Sequence, residues 1–264
     1  MKTDKKTRHV FRQDVPSLKY MGLGDTSVRI LAIHHLITKY RLDAIVVPPC
    51  DKELAALWTA VLGAGRVISD AASIPDAFKD ARISAPTSVD WRYGSAGWNV
   101  FESAMWENGF FDTRNVRLQA PMVFPCDHKS GAVMIYPIEG TDGNRVYGSE
   151  FWIETCSVFR RRGYRINHLG TRNHPNLRKF YDTVDFDLHF EPTIENLAAC
   201  VSKSSLAIGS STGPTWTLLF SDIEQLVLES KKSPRDYWFF DRCQHALAKK
   251  LRILPTMESL IPDL

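Results

Sequence analysis

In the second half of the chain, short apolar runs alternate with longer stretches whose apolar residues recur at helical spacing. The runs 132–137 and 206–209 are short and apolar, which is typical of buried strands. Such alternation predicts a parallel sheet covered by helices. The predicted elements are strands at 132–137, 164–169, 185–190, 206–209 and 225–228, with helices at 149–162 beginning at the N-cap Ser149, at 175–181, after the N-cap Thr193 and after Pro214.

The first half shows the same alternation less regularly. Its predicted elements are strands at 17–21, 43–47 and 66–69, and helices at 22–40 and 51–62. The segment 114–130 has no period and contains two prolines, so we interpret it as a linker. The sequence therefore predicts an α/β fold of two Rossmann-like lobes with a cleft between them. The lobes are a reduced N-terminal lobe, 1–125, and a C-terminal lobe, 126–264, whose tail, 234–251, is predicted to be helical.

The composition is consistent with this predicted α/β fold and adds few constraints. The 264 residues are 44% hydrophobic and 24% charged, which excludes disordered and collagen-like classes. The five cysteines have no C-x-x-C spacing, so the sequence suggests neither a disulfide framework nor a zinc knuckle. Apolar stretches are no longer than strands and the N-terminus has no apolar secretory core, so we expect a cytoplasmic protein with no membrane span. A net charge of +3 permits an anionic partner.

The turn after the apolar run 206–209 is a candidate phosphate site. Ser211 and Thr212 offer hydroxyl groups, Gly213 lets the backbone approach a ligand, and Pro214 suits the first turn of a helix. The first N–H groups of a helix have no internal partner and favour an anion. An ordinary N-cap without a ligand is the alternative interpretation.

A second candidate lies at the start of the helix 22–40. Gly22 and Gly24 form a G-x-G, but no third glycine follows at the spacing that dinucleotide binding requires. Asp25 is either a helix cap or a carboxylate that accepts a proton from an alcohol.

Four segments together resemble the heptosyltransferase-like glycosyltransferases of glycosyltransferase family 9, which have the GT-B fold. The resemblance covers most of the chain and is stronger in the second half. It is carried by M-G-L-G-D at 21–25, N-R-V-Y-G-S-E-F-W at 144–152, the helix sequence 193–200, and A-I-G-S-S-T-G-P at 207–214, where Ser211 replaces the aspartate of the family's donor turn.

The resemblance implies an inverting transferase that needs no metal and no cofactor and uses a nucleotide-diphosphate sugar as co-substrate. It makes Asp25 the catalytic base and places Gly22 and Gly24 in the acceptor loop. The donor diphosphate would be held by Arg145, Ser211, Thr212 and Gly213. Since nucleoside recognition belongs at strand ends, we assign it to Glu139 and Asn173.

Three alternatives stay open. Asp185 and Asp187 match an Asp-x-Asp metal motif, although strict alternation along 185–190 predicts that these side chains only face away from the core. Basic residues at the N-terminus and at 160–162 suit an acceptor that is hydroxymethylated DNA, as in phage enzymes, instead of a glycan. The replacement at Ser211 suits a nucleotide-binding or glycan-binding module without catalysis.

Overall fold

The structure is a computed structural model that describes residues 8–18, 22–86, 104–105, 120–137, 147–210 and 212–228, and the backbone of 251–254. The chain divides into two compact units, Met1–Pro121 and Met122–Leu264. The division falls inside the segment 114–130 that the sequence marks as a linker. Within the described residues, no helix combines the length and hydrophobicity that crossing a bilayer requires.

The first unit contains a three-stranded parallel sheet in the order β2-β1-β3. Its elements are β1 (Arg8–Arg12), α1 (Leu23–Lys39), β2 (Asp43–Val47), α2 (Lys52–Leu62) and β3 (Arg82–Ser84). The predicted helices and the strand 43–47 are confirmed.

Two predicted strands of this unit differ from the structure. The first described strand is β1, and the predicted strand 17–21 begins instead within the 3-10 helix Pro16–Leu18, while 19–21 lie outside the described residues. The basic residues that flank β1 hide a short apolar centre, in which Val10 and Phe11 are buried. The segment 66–69 contributes only a single bridge from Val67 to Val46.

The second unit contains a six-stranded parallel sheet in the order β6-β5-β4-β7-β8-β9. Numbered within the unit, this order is 3-2-1-4-5-6, that of a dinucleotide-binding Rossmann sheet. The α/β class and four of the five predicted strands are confirmed, and the fifth, 185–190, is shortened to its last three residues. The elements are β4 (Ala132–Tyr136), α3 (Ser149–Arg161), β5 (Arg165–Leu169), α4 (Arg178–Thr183), β6 (Leu188–Phe190), α5 (Ile194–Val201), β7 (Leu206–Ser210), α6 (Gly213–Thr217), β8 (Glu224–Leu228) and β9 (Leu251–Leu254).

The core of the second unit explains why its strands are uniformly apolar. All residues of β4 and β7 are buried, because helices cover both faces of a parallel sheet. On one face, Phe151, Trp152, Cys156 and Phe159 of α3 pack into a cluster with residues from the central strands. This rigid sheet fixes the positions of the loops at its edges.

Other details of the second unit differ from the sequence predictions. Gly148, and not Ser149, is the N-cap of α3, and the Ser149 hydroxyl donates to the carbonyl of Asn176 at 3.2 Å. β9 begins at Leu251, which was predicted to end a helix; the rest of 234–251 lies outside the described residues. The predicted helix 175–181 is a 3-10 turn followed by α4.

Candidate functional site

The second sheet has a topological switch point between β4 and β7. These strands are neighbours, but β4 is followed by β5 on one side and β7 by β8 on the other. In open α/β sheets, ligands bind outside the carboxyl ends of the strands at such a point. Tyr136 ends β4 and Ser210 ends β7, so Thr212 and Gly213 at the start of α6 lie where a ligand is expected.

Hydrogen bonds between buried groups join the carboxyl ends of these two strands. Tyr136 is fully buried, and its hydroxyl oxygen lies 3.1 Å from the hydroxyl oxygen of Thr215 in α6. The Thr215 hydroxyl also lies 2.7 Å from the Ser210 carbonyl oxygen, to which it donates. Burial raises the pKa of Tyr136 more than the contact with Thr215 lowers it, so the phenol stays protonated. α6 is thereby fixed to both strands.

Of the predicted diphosphate ligands, Thr212 and Gly213 are described and adjacent. Thr212 is the N-cap of α6, and its hydroxyl donates to the Ser210 carbonyl at 3.2 Å. Gly213 begins α6. The helix predicted after Pro214 has only five residues and continues as the 3-10 helix Leu218–Phe220, so its dipole is smaller than the sequence suggested.

Asn173 lies beside a pocket on the same edge of the sheet. The pocket, of about 420 Å³, follows the carboxyl end of β5, the neighbour of β4. Its walls are basic and polar, which suits an anionic or hydroxylated ligand. They comprise Arg172, Asn173, His174, Pro175, Arg178, Tyr181 and Asp182. Arg145, Glu139 and Ser211 lie outside the described residues.

Asp25, Gly22 and Gly24 lie in the other unit, at the start of α1. Gly22 is the N-cap, and its N–H donates to Oδ2 of Asp25 at 3.3 Å. The Asp25 carboxylate therefore caps the helix, and the residue is only partly buried. The capping role foreseen in the sequence is therefore present, and it leaves a role in proton transfer open.

A buried arginine that the sequence analysis did not single out anchors this helix. Arg29 follows Asp25 by one turn and is 1% exposed. Its Nε donates to Oε1 of Gln13 at 2.8 Å. Gln13 directly follows β1, and its N–H donates to the carbonyl of Val47 at the end of β2. A buried charge needs such polar partners, so this contact fixes α1 against the strands.

A pocket of about 620 Å³ lies at the carboxyl ends of β1 and β2. Apolar side chains, including Val15, Pro49 and Leu54, form much of its wall, and the carboxylates of Asp14 and Asp51 also line it. The described residues Gly22, Gly24 and Asp25 are not among its lining residues.

The other motifs noted in the sequence have local structural roles. Oδ2 of Asp187 accepts the N–H of Ile166 at 2.7 Å, which joins the chain before β6 to β5. Arg160 donates to the carbonyl of Asp185, and Arg161 pairs with Glu154 at 3.5 Å. Arg160 and Arg161 of the basic cluster therefore make structural contacts on the surface of this unit.

The alternation predicted for 185–190 is wrong. β6 begins only at Leu188, which is 36% exposed, whereas His189 stacks on the buried His168 with a centroid distance of 5.0 Å. Phe186 stacks on the same ring at 4.5 Å. Only Leu188–Phe190 are paired as a strand, and the exposed Leu188 breaks the period of two.

No protein-family model matches the sequence, and no curated protein matches it. The fold is similar to that of solved structures. One is the E. coli heptosyltransferase WaaC with ADP, at 11% identity and a TM-score of 0.58, covering 94% of this chain and 92% of that one. The same enzyme with ADP-2-deoxy-2-fluoro heptose gives 12% identity and a TM-score of 0.56, with coverages of 96% and 98%.

A further similar structure is a family 9 glycosyl transferase from Veillonella parvula. It shows 14% identity and a TM-score of 0.54, with 98% of this chain and 88% of that chain covered. At such low identity the likeness concerns the fold. The chain has the heptosyltransferase-like fold of glycosyltransferase family 9, which its sequence motifs resemble.

Proposed function

We propose that this protein is an inverting, metal-independent glycosyltransferase that moves a sugar from a nucleotide-diphosphate donor to an acceptor hydroxyl. The observation that carries the proposal is the switch point between β4 and β7, with Thr212 and Gly213 beginning α6 just after β7. The similar WaaC structures contain ADP and an ADP-heptose analogue, which supports a nucleotide-sugar ligand here.

In this proposal the second unit binds the donor. Backbone N–H groups near Thr212 and Gly213, with the Arg145 guanidinium, stabilise the charge that develops on the departing diphosphate. Asn173 and the basic pocket after β5 bind the nucleoside, since that pocket lies one strand away from β4. Donor binding then needs no metal ion.

The first unit supplies the base and the acceptor site. The Asp25 carboxylate takes the proton of the acceptor hydroxyl as its oxygen attacks the anomeric carbon. The bond from that carbon to the diphosphate oxygen breaks, and the diphosphate leaves with the electron pair. One displacement inverts the anomeric centre. We assign the acceptor, a glycan hydroxyl, to the side of the first sheet where the 620 Å³ pocket opens.

Thermal unfolding in the presence of nucleoside diphosphates and nucleotide sugars tests the proposal. A ligand at one hundred times its Kd adds about 2.7 kcal/mol to the free energy of unfolding. For a chain of this size we expect a rise in Tm of roughly 5 to 10 °C. Nucleoside monophosphates serve as controls, because they lack the second phosphate. If no diphosphate raises Tm, the donor site is wrong.

A further inference from the structure

Three side chains that commonly bind metals meet at the amino-terminal edge of the second sheet. Cys126 and His128 precede β4, and Asp222 precedes β8. Sγ of Cys126 lies 3.2 Å from Nδ1 and 3.5 Å from Nε2 of His128. Nε2 of His128 lies 3.0 Å from Oδ2 of Asp222. One possible ligand atom from each residue therefore lies within 4.8 Å of the others.

Contacts of the backbone and of neighbouring residues also hold these distant segments together. Phe124 bridges to Ser221, whose hydroxyl donates to the Phe124 carbonyl at 2.6 Å. The N–H of Cys126 donates to Oδ1 of Asp222 at 2.8 Å, which orients the carboxylate and directs Oδ2 towards His128. Such a hydrogen bond to the second oxygen of a carboxylate is a common support for metal ligands.

Two separations of the possible ligand atoms are close to those that a tetrahedral ion requires. Zinc bonds of about 2.3 Å to sulfur and 2.0–2.1 Å to nitrogen or oxygen place S and N about 3.6 Å apart and N and O about 3.3 Å apart. The observed distances of 3.5 Å and 3.0 Å for Nε2 are close to these values. The side chain of His128 is 59% exposed, so an ion can reach its ring from solvent.

We propose that Cys126, His128 and Asp222 form a binding site for a divalent transition-metal ion of the zinc type. A thiolate, an imidazole and a carboxylate suit zinc, and the two anionic ligands balance its charge. Three protein ligands leave a fourth position for water. The ion ties the segment before β4 to the segment before β8, and so stabilises the second unit.

This site is separate from the proposed donor site. The cluster lies at the amino ends of β4 and β8, whereas Thr212 follows the carboxyl end of β7. A five-residue strand separates the two edges by about 16 Å. The metal therefore has no part in the proposed sugar transfer, and either proposal can fail without the other.

The same three residues could instead activate the cysteine as a nucleophile, in the order Cys, His, Asp. That chemistry also requires a substrate pocket beside the thiol, and Cys126 lines neither of the two pockets described above. The observations therefore favour the metal, and the test below distinguishes the two.

Titration of the metal-free full chain with Co²⁺ tests the site. We expect one equivalent to produce a thiolate-to-metal charge-transfer band in the near ultraviolet. Cys126→Ser should abolish this band, and His128→Gln should weaken Co²⁺ binding by more than about tenfold, the least effect expected of a supporting group. Cys50→Ser is the matched control, because it removes an exposed thiol elsewhere and should leave the titration unchanged.

Zinc should also raise Tm of the wild type and of Cys50→Ser, but not of Asp222→Asn, whose amide oxygen can still accept the N–H of Cys126. The proposal is overturned if no thiolate band forms, or if the band survives in Cys126→Ser. Rapid alkylation of Cys126 by iodoacetamide, with no Co²⁺ binding, would overturn it in favour of the activated nucleophile.

Discussion

The ring of Tyr136 occupies the space that a side chain at Gly209 would need. The two residues are paired in register at the ends of β4 and β7. A Cβ atom built on Gly209 would lie 2.0 Å from Cε2 of Tyr136, a separation that real Cβ atoms do not show. Since Tyr136 is fully buried, its ring has no room to move aside. The absence of a side chain at Gly209 therefore makes room for the Tyr136 ring at the carboxyl ends of the two strands that define the proposed donor site.

Gly209→Ala should therefore destabilise the protein. We expect a loss of about 3 kcal/mol or more in the free energy of unfolding, at the upper end of the cost of overpacking. Urea denaturation measures the loss as a lower midpoint. Gly65→Ala is the control, because a Cβ there meets no atom within 4 Å.

A double variant separates this clash from other effects of the alanine. Tyr136→Ala removes the ring that Gly209→Ala would contact, so the combined variant should lose less stability than the sum of the two single variants. Strict additivity would show that the close approach of Tyr136 to Gly209 is not the cause.

Asp25→Asn should abolish sugar transfer but keep donor binding. We expect turnover to fall by about 10² to 10⁴, the usual contribution of a general base. The asparagine oxygen can still accept the N–H of Gly22, so the stability of α1 should change little. Transfer is measured as release of nucleoside diphosphate in the presence of acceptor.

Asp70→Asn provides the matched control. Asp70 is also a carboxylate at a helix start, where it caps the 3-10 helix Ala71–Ser73 and Oδ1 accepts the N–H of Ser73 at 2.9 Å. It should retain full turnover. Undiminished transfer in Asp25→Asn would remove Asp25 from the catalytic step, and a wild type that binds the donor without any turnover would favour a binding module.

Thr212→Val should weaken nucleoside diphosphate binding. Thr212 is 4% exposed, and its hydroxyl donates to the Ser210 carbonyl at the carboxyl end of β7; in the proposed donor complex it donates to a phosphate oxygen instead. A hydrogen bond to a charged group contributes about 1.5–3 kcal/mol, so Kd should rise by roughly tenfold or more. Isothermal titration calorimetry with the diphosphate measures the change.

Thr193→Val is the control for this variant. Thr193 caps α5 by accepting the N–H of Asn196 at 3.1 Å. Its replacement should cost about 1 kcal/mol of stability and leave the affinity unchanged. Equal affinities of the Thr212 variant and the wild type would count against this part of the donor site.

The central strands of the second unit could be predicted from the sequence because they are buried on both faces. Their short runs of apolar and small residues, such as Leu206 to Ser210, can be recognised without knowing which strands lie beside them. β1 was missed because basic residues flank its apolar centre. β6 was misplaced because the side chain of Asp187 pairs with the backbone of Ile166, a contact that no local pattern shows.

The candidate sites were predictable to the extent that they are local in sequence. The turn at Thr212 and Gly213 could be located because a strand, small residues and a proline follow one another. The cluster of Cys126, His128 and Asp222 could not, since its third member is 94 residues away from His128. The contact of Arg29 with Gln13 likewise depends on the packing of α1 against β1.

The buried histidine of β5 should make the protein sensitive to acid. Burial, together with the charges of His189 and Arg172, lowers the pKa of His168 to about 3. In the unfolded chain His168 binds a proton below about pH 6.5, its ordinary value. Between about pH 6.5 and 3 the unfolded state therefore binds more protons, and stability falls as the pH falls. Above pH 6.5 this group has no effect.

Urea denaturation of His168→Gln between pH 7 and 4 measures this contribution. Without the His168 imidazole, the free energy of unfolding should fall less steeply with decreasing pH, by up to about 1.4 kcal/mol per pH unit. The variant also loses the stacking on Phe186, which lowers stability at every pH. Phe186→Leu controls for that loss: it should lower stability while keeping the wild-type slope, because the titrating imidazole is still present. An unchanged slope in His168→Gln would show that His168 is not the group whose protonation opposes folding.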